Sequence, residues 1–434
     1  MTASASLQSI IAYARAGALD HAWALFEAGG YDRERDDPAA LAIRGRLLKD
    51  RAQRASGDAR SCLYAAAAED YALAADLGGA TYPLINAATL SLLAGDAVRA
   101  GALAGQVLAR IAEKPDEPET PYYRAATRAE ALLLLGRSDE ARAALDEAIA
   151  LAPRAWEDHA STIRQFALIL AAQQADAAWL DARRPPRSLH FGGHMSFRAD
   201  GARTPLTGAI AAVLAGERIG FGYGALAAGA DILVAEALLE CGAELHLVLP
   251  GGLEAFAALS VDPFGAEWRR RFDAVAVRAE TVRAVEPLGA RPDTVAIGLA
   301  DEIAMGAARI NAQRLASNAV QLLVVAEGEA EGRSQSIWAA GGADTQRVLH
   351  APREPVEAAP AAAPATQRCL AALAVRADAG ALAAIGPVLA QGPAAAIAPS
   401  FTGEAVVLGF ERLADAADSA TALAAALPGV TVGG

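Results

Sequence analysis

The chain predicts a multidomain fold in three parts: an all-α helical-repeat domain over residues 1–182, an α/β parallel-sheet domain over 187–350, and a small α+β module over 367–434. Three observations predict it. Alanine and leucine recur at three- and four-residue spacing up to about residue 180, with almost no strand-like alternation. Arg183-Arg184-Pro185-Pro186-Arg187 is a break that helices do not cross, and the period changes directly after it. The stretch 351–366, APREPVEAAPAAAPAT, has no apolar period and reads as a semi-rigid tether.

With 434 residues, 54% of them apolar, there is material for several cores. A formal charge of −13 argues against a duplex-nucleic-acid or anionic-membrane surface. Cys62, Cys241 and Cys369 lie far apart without a CxxC pair, which provides neither a disulfide framework nor a zinc knuckle and fits a reducing cytosol. The first residues lack a basic n-region, and no uncharged run reaches the ~18 residues a spanning helix needs. The expectation is a cytoplasmic protein.

In the helical part, Tyr122 to Pro153 is the clearest unit: a helix ending at Leu135-Gly136, a turn at Arg137 and Ser138, a second helix from Asp139, and a closing proline. This unit resembles a tetratricopeptide repeat (TPR). A weaker copy spans Ala14 to Gly30, where Gly17 ends one helix and Asp20 can cap the next. Another spans Tyr82 to Ala100, with its turn at Gly95-Asp96. That segment, with RGRLLKD at Arg44 to Asp50, resembles the helical region beside the TRAF-binding part of the apoptosis signal-regulating kinases, although no kinase is present. Such pairs stack because neither buries its apolar face alone, leaving a concave side for a protein partner. The alternative is that the helices only pack on the next domain.

In the middle domain Leu189 to Gly193 reads as a buried strand, Pro205 to Ala215 as a helix, Arg218 to Tyr223 as a strand and Glu244 to Leu249 as another. Phe272 to Val277 and Val320 to Ala326 read as further strands with Pro292 to Leu315 helical between them, and Thr345 to Leu349 as an edge strand. Strands alternating with helices imply a parallel sheet, whose ligands sit outside the strands' carboxyl ends.

Residues 221–252, FGYGALAAGADILVAEALLECGAELHLVLPGG, run from a glycine-rich turn into a helix and an apolar strand. Gly222, Gly224 and Gly229 permit close backbone approach and positive φ, and the helix opening near Ala228 to Asp231 offers unpaired N–H groups to an anion. Asp231 can bind a ribose hydroxyl or cap the helix. His190 and His194 stand four residues apart along a strand, ~13 Å, too far to share one metal ion unless the chain turns at Gly192. His194 at the loop tip can contact a phosphate or base, or be a plain loop histidine. Glu236 reads as a solvated helix face before a catalytic base. Arg269-Arg270-Arg271 beside Trp268 can steer an anion or be an exposed amphipathic helix.

Residues 187–350 resemble the SLOG superfamily, which joins the Smf DNA-processing proteins to the LOG-type cytokinin-activating hydrolases. The matching residues are Gly192-Gly193-His194, the turn Gly224-Ala225-Leu226-Ala227-Ala228-Gly229-Ala230-Asp231, and the strand end Val248-Leu249-Pro250. The resemblance implies a Rossmann-like domain. The expected ligand-binding residues are Gly192, Gly193, His194, Gly222, Gly224, Ala225, Leu226, Gly229, Asp231 and Pro250. The hydrolase branch carries PGG-x-GT-x-x-E on a later strand. Here Pro250-Gly251-Gly252 is followed by Leu253-Glu254, a coincidental turn, so ligand sensing is favoured over hydrolysis.

After the tether, Cys369 to Val375 reads as a strand, Ala381 to Ala390 as a helix, Ala394 to Pro399 and Ala405 to Phe410 as a strand pair around Gly403, and Leu413 to Leu427 as a helix. This βαββα order resembles the first half of a class III nucleotide cyclase, in which two aspartates hold magnesium ions. Asp378 matches the first and Glu404 stands at the second; with the other half missing, the resemblance implies a degenerate, catalytically silent module. A plain ferredoxin-like module is the other reading.

The sequence therefore points to a signalling protein that senses a nucleotide or NAD-derived ligand and relays occupancy through its helices to a protein partner. No catalytic residue, metal or certain cofactor is assigned, and a homo-oligomer is left open. The rivals are a nucleosidase or phosphoribohydrolase, which would cleave an N-glycosidic bond, and a scaffold with a vestigial pocket.

Overall fold

The computed structural model describes residues 6–113, 120–195, 197, 205–286, 294–329, 332–342, 344–354, 371–377, 379–390, 396–402, 405–410, 412–427 and 429–433. The chain divides into two units, Met1–Pro185 and Pro186–Gly434, at the arginine-proline break. Cys369, Asp378, Gly403, Glu404 and most of the expected tether lie outside the described residues.

The first unit is helical: α1 Leu7–Arg15, α2 Leu19–Ala28, α3 Pro38–Arg54, α4 Gly57–Gly78, α5 Thr81–Leu93, α6 Ala97–Glu113, α7 Pro121–Leu134, α8 Ser138–Leu151 and α9 Trp156–Ala172. One local device recurs. At Gly17, Gly95 and Gly136 the backbone is left-handed, with φ of 84°, 96° and 72°. At each, the glycine N–H bonds three residues back and the next N–H five residues back: Ala18 to Tyr13, Asp96 to Ser91, and Arg137 to Leu132, all at 2.9–3.0 Å. That pair of bonds closes a helix and turns the chain sharply into the next one. Gln174 repeats the device after α9 at φ 54°, without glycine. Asp20 sits in the first turn of α2 rather than capping it; Ala18 is the N-cap.

Packing then runs from each helix to the next. Ile10, Ala22 and Phe26 share a core with Ile43 and Leu47 of α3. Tyr64 and Tyr71 of α4 share the next one with Ala87 and Leu90 of α5, and Ala104 and Val107 of α6 pack with Leu84 and Ala131. Gly45, in the middle of RGRLLKD, is small for a packing reason: a Cβ there would lie 2.7 Å from the Tyr71 ring. Arg44 and Asp70 pair beside this contact, joining α3 to α4.

In the second unit, six parallel strands form one sheet: β1 Arg187–Gly193, β2 Ile219–Gly224, β3 Glu244–Gly251, β4 Thr281–Glu286, β5 Ala319–Val325 and β6 Thr345–His350, in the order β4-β3-β2-β1-β5-β6. Its helices are α10 Pro205–Gly216, α11 Ala230–Glu240, α12 Leu253–Ser260, α13 Ala266–Ala276, α14 Thr294–Arg314 and α15 Arg333–Ala340. Side chains alternate across the sheet. Leu189, Phe191, Val320, Leu322 and Val324 join the core under α10 to α13, while Ala319 packs with Met305, Ala312 and Trp338 of α14 and α15. This is a Rossmann-like parallel sheet, as expected.

One element was misread. Phe272–Val277 is not a strand; it lies at the end of α13, and β4 follows it at Thr281–Glu286. Trp268, Phe272 and Val275, at helical spacing, are the buried residues of α13, and that spacing overrides the β-like run AVAV. Helices α12 and α15 were not anticipated.

A second sheet is antiparallel: β7 Ala371–Arg376, β8 Ile397–Thr402, β9 Ala405–Phe410 and β10 Thr431–Gly433, in the order β10-β7-β9-β8. Helices α16 Ala379–Leu389 and α17 Leu413–Ala426 pack on it around Val375, Leu408, Phe410 and Leu423. Strand β10, absent from the sequence reading, completes a βαββαβ order.

The turn device is testable. Gly136→Ala places a Cβ at φ 72° and is expected to lower stability by about 1 kcal/mol. Gly105→Ala, within α6 and with nothing inside 4 Å of the added carbon, is expected to raise it by about 0.5–1 kcal/mol. Urea unfolding followed by helical circular dichroism measures both, and effects of the same sign would contradict the reading.

Candidate functional site

Strand order reverses at β1, with β2 on one side and β5 on the other. Loops leaving the carboxyl ends of these strands diverge to opposite faces and open a crevice. A cavity of about 580 Å³ occupies this place, lined among others by Gly192, Gly193, His194, Ala225, Asp231 and Pro250. Four of the expected residues support it instead of lining it. A Cβ on Gly222 would lie 2.3 Å from Leu238 of α11, and one on Gly224 would lie 2.7 Å from the Phe191 carbonyl. Leu226 is buried in the core. Gly229 is the N-cap of α11 and, of the three glycines of that turn, the one with positive φ, 98°.

Asp231 stands in the first turn of α11, only 6% exposed. The Ala227 N–H donates to its Oδ2 at 3.1 Å, closing the turn on itself, while buried Oδ1 has no hydrogen-bond partner among the described residues. Burial pushes this carboxyl up to about 7, opposed by the Ala227 amide, aided by the charge of Asp301 and opposed again by the Gly193 amide. The neighbouring amides are spent as well: Ala228 N–H donates to Ser260 O at 2.9 Å and Ala230 N–H to His194 O at 3.2 Å. These bonds take up the amides of the turn that leads into α11.

His194 is held by its surroundings. Its Nε2 faces the Ala351 carbonyl at 3.2 Å and its ring stacks on Phe197 at 4.4 Å. Burial lowers its basicity.

Sequence reasoning missed a polar seam under the cavity. His190 is fully buried, stacked on Trp338, with Nε2 2.9 Å from Oδ1 of Asp301 and Nδ1 3.1 Å from Nε2 of Gln321. Two carbonyls fix the proton positions, because a carbonyl can only accept. Ser334 O accepts from Gln321 Nε2, and Gln335 O accepts from Gln346 Nε2, which also donates to Gln321 Oε1 at 2.7 Å. Gln321 therefore donates to Nδ1 of His190, and the Nε2 hydrogen goes to Asp301. Asp301 lines the cavity, as do Arg333 and Ser334 at the start of α15 and Glu329 and Arg353. The available signal was a polar residue inside an apolar strand, Gln321 in AVQLLVV and His190 in SLHFGG.

The other charged candidates lie elsewhere. Arg271 pairs with Glu236 at 2.8 Å across α13 and α11, and Arg269 bonds Glu254 and Asp273 at 2.9 and 3.0 Å. These side chains pair with one another across three helices, α11, α12 and α13.

Residues 2–91 match a family model described as Tetratricopeptide Repeats-Sensor. No curated protein matches the chain. The match supports the helical-repeat part and a signalling or regulatory role. Among the described residues, no helix is long and apolar enough to cross a membrane.

Asp231 makes stability depend on pH in a stated direction. Its ordinary value of 3.8 rises to about 7 in the folded chain, so the folded state binds the proton more tightly. The cost of burying the charge is absent below about pH 4, grows as pH rises to 7, and is then complete, on the order of 4 kcal/mol at most. Urea midpoints should fall between pH 5 and pH 8 more steeply in the wild type than in Asp231→Asn; parallel profiles would contradict the assignment.

Proposed function

We propose that the second unit binds a nucleotide or NAD-derived metabolite in the cavity beside β1, and that the helical repeats pass occupancy to a protein partner. One observation carries the reading. A cavity of about 580 Å³, the size of a small-ligand site, lies where the strand order reverses and is lined by the buried carboxyl of Asp231, whose Oδ1 has no close hydrogen-bond partner among the described residues. Such an oxygen is costly unless something donates to it, and a ligand hydroxyl or amine supplies the donor. The sensor-repeat match over residues 2–91 supports the regulatory half of the reading.

Cleavage of an N-glycosidic bond is the second reading, supported by the two carboxyls, Asp231 and Asp301, on one cavity. Against it, Pro250-Gly251-Gly252 ends β3 and leads into α12 without the Gly-Thr and the glutamate spacing of the hydrolase loop.

Calorimetry of the full chain against AMP, ADP-ribose, NAD and cyclic dinucleotides tests the proposal, with free base assayed in the same mixtures. Binding without base release is the expected result; no binding by any of them would overturn it. Ala225→Leu, which adds bulk to the cavity wall, should weaken binding at least about tenfold with an unchanged circular dichroism spectrum. Unchanged affinity would place the ligand elsewhere.

A further inference from the structure

Three strand ends meet on one rim of the cavity. His194 follows β1, Glu329 follows β5 and Arg353 follows β6, and all three line the cavity wall. Arg353 also stands where the chain leaves the parallel sheet, to run through residues 355–370 to the C-terminal module.

Ala351 anchors this exit. It is 5% exposed and belongs to the core under α10 to α13. Its N–H donates to the Val325 carbonyl at 3.0 Å, and its own carbonyl accepts from His194 Nε2 at 3.2 Å, which sets the tautomer because a carbonyl can only accept. Arg353 is held more loosely. It bonds the two carboxylate oxygens of Glu329 at 3.0 and 3.2 Å, and Glu329 in turn accepts the Ala326 N–H at 3.1 Å. The two charged side chains are 51% and 42% exposed, and a pair so exposed contributes only about 0–1 kcal/mol. An acceptor on a ligand in the cavity can therefore draw Arg353 away from Glu329 with little loss, while the buried bonds of Ala351 hold.

The wall that α14 supplies leads to the same module. Ile297, Ala300 and Asp301 of α14 line the cavity, and α14 packs against α17. The module has a core of its own around Val375, Leu408, Phe410 and Leu423, so it can respond as a body to a change at its attachment.

Resting on the nucleotide reading above, we propose that the C-terminal module reads the occupancy of the cavity through the strap 351–353. A ligand that engages Arg353 resets the strap where it leaves the sheet, and the module shifts against α14 in response.

Hydrogen–deuterium exchange of the full chain tests this, with AMP, ADP-ribose, NAD and cyclic dinucleotides as probes. A probe that binds should slow exchange in peptides covering 192–195 and 225–232, and should change it in 345–354 and 413–426 by about twofold or more, the scale of a modest shift in local opening. Without any probe, Glu329→Gln, which weakens the hold on Arg353, should speed exchange in 345–354 and in 413–426 while the circular dichroism spectrum stays unchanged. Should that variant fail to fold, Arg353→Gln carries the same expectation. A probe that slows the two cavity peptides and leaves 413–426 unchanged overturns the coupling and leaves nucleotide binding standing. A variant effect confined to 345–354 overturns the strap in the same way. No binding by any probe overturns the nucleotide reading and the coupling with it.

Discussion

Two glycines fix how closely the crest of the parallel sheet can close. A Cβ on Gly193 would lie 2.6 Å from that of Ala230 and 2.7 Å from the Val324 carbonyl, and one on Gly229 would lie 2.9 Å from the His194 carbonyl. Both loops therefore cross backbone against backbone. Across that contact Ala230 N–H bonds His194 O, and His194 N–H bonds Val324 O at 3.2 Å. These bonds tie α11, β1 and β5 together at one point, and the cavity is the space left beside it. Close approach also buries Asp231, so one steric fact accounts for the cavity's shape and for its most perturbed carboxyl.

The seam from Gln346 through Gln321 and His190 to Asp301 connects the opposite face of the sheet to that cavity. Its members are fixed by backbone carbonyls at one end and stacked on Trp338 in the middle. A buried polar chain of this kind is stable only when every member is satisfied. A change at Asp301 therefore reaches the β1–β5 core, and a ligand held by Asp301 would act on the same seam.

Much of this was legible in the residues. Helix pairs were readable because Gly17, Gly95 and Gly136 interrupt alanine-rich helices at turns that need positive φ. Alternation of apolar strands with helices gave the parallel sheet, and the two loops containing Gly193 and Gly229 do meet at one cavity. The rest depends on tertiary context. Gly222 and Gly224 look like phosphate-cradle residues but serve helix and strand packing. Phe272 to Val277 has strand composition and helical burial. Asp301 and Ser334 reach the cavity from α14 and α15, the latter only eight residues long and not anticipated from the sequence. Of the C-terminal resemblance to a cyclase, the described residues carry the β-sheet and helices alone.

Hydrogen–deuterium exchange of the full chain, with and without saturating AMP, tests the central claim most directly. A nucleotide in the cavity beside β1 should slow exchange in peptides covering 192–195, 225–232 and 332–336 together. Exchange in all three that stays unchanged while AMP is bound would contradict the account.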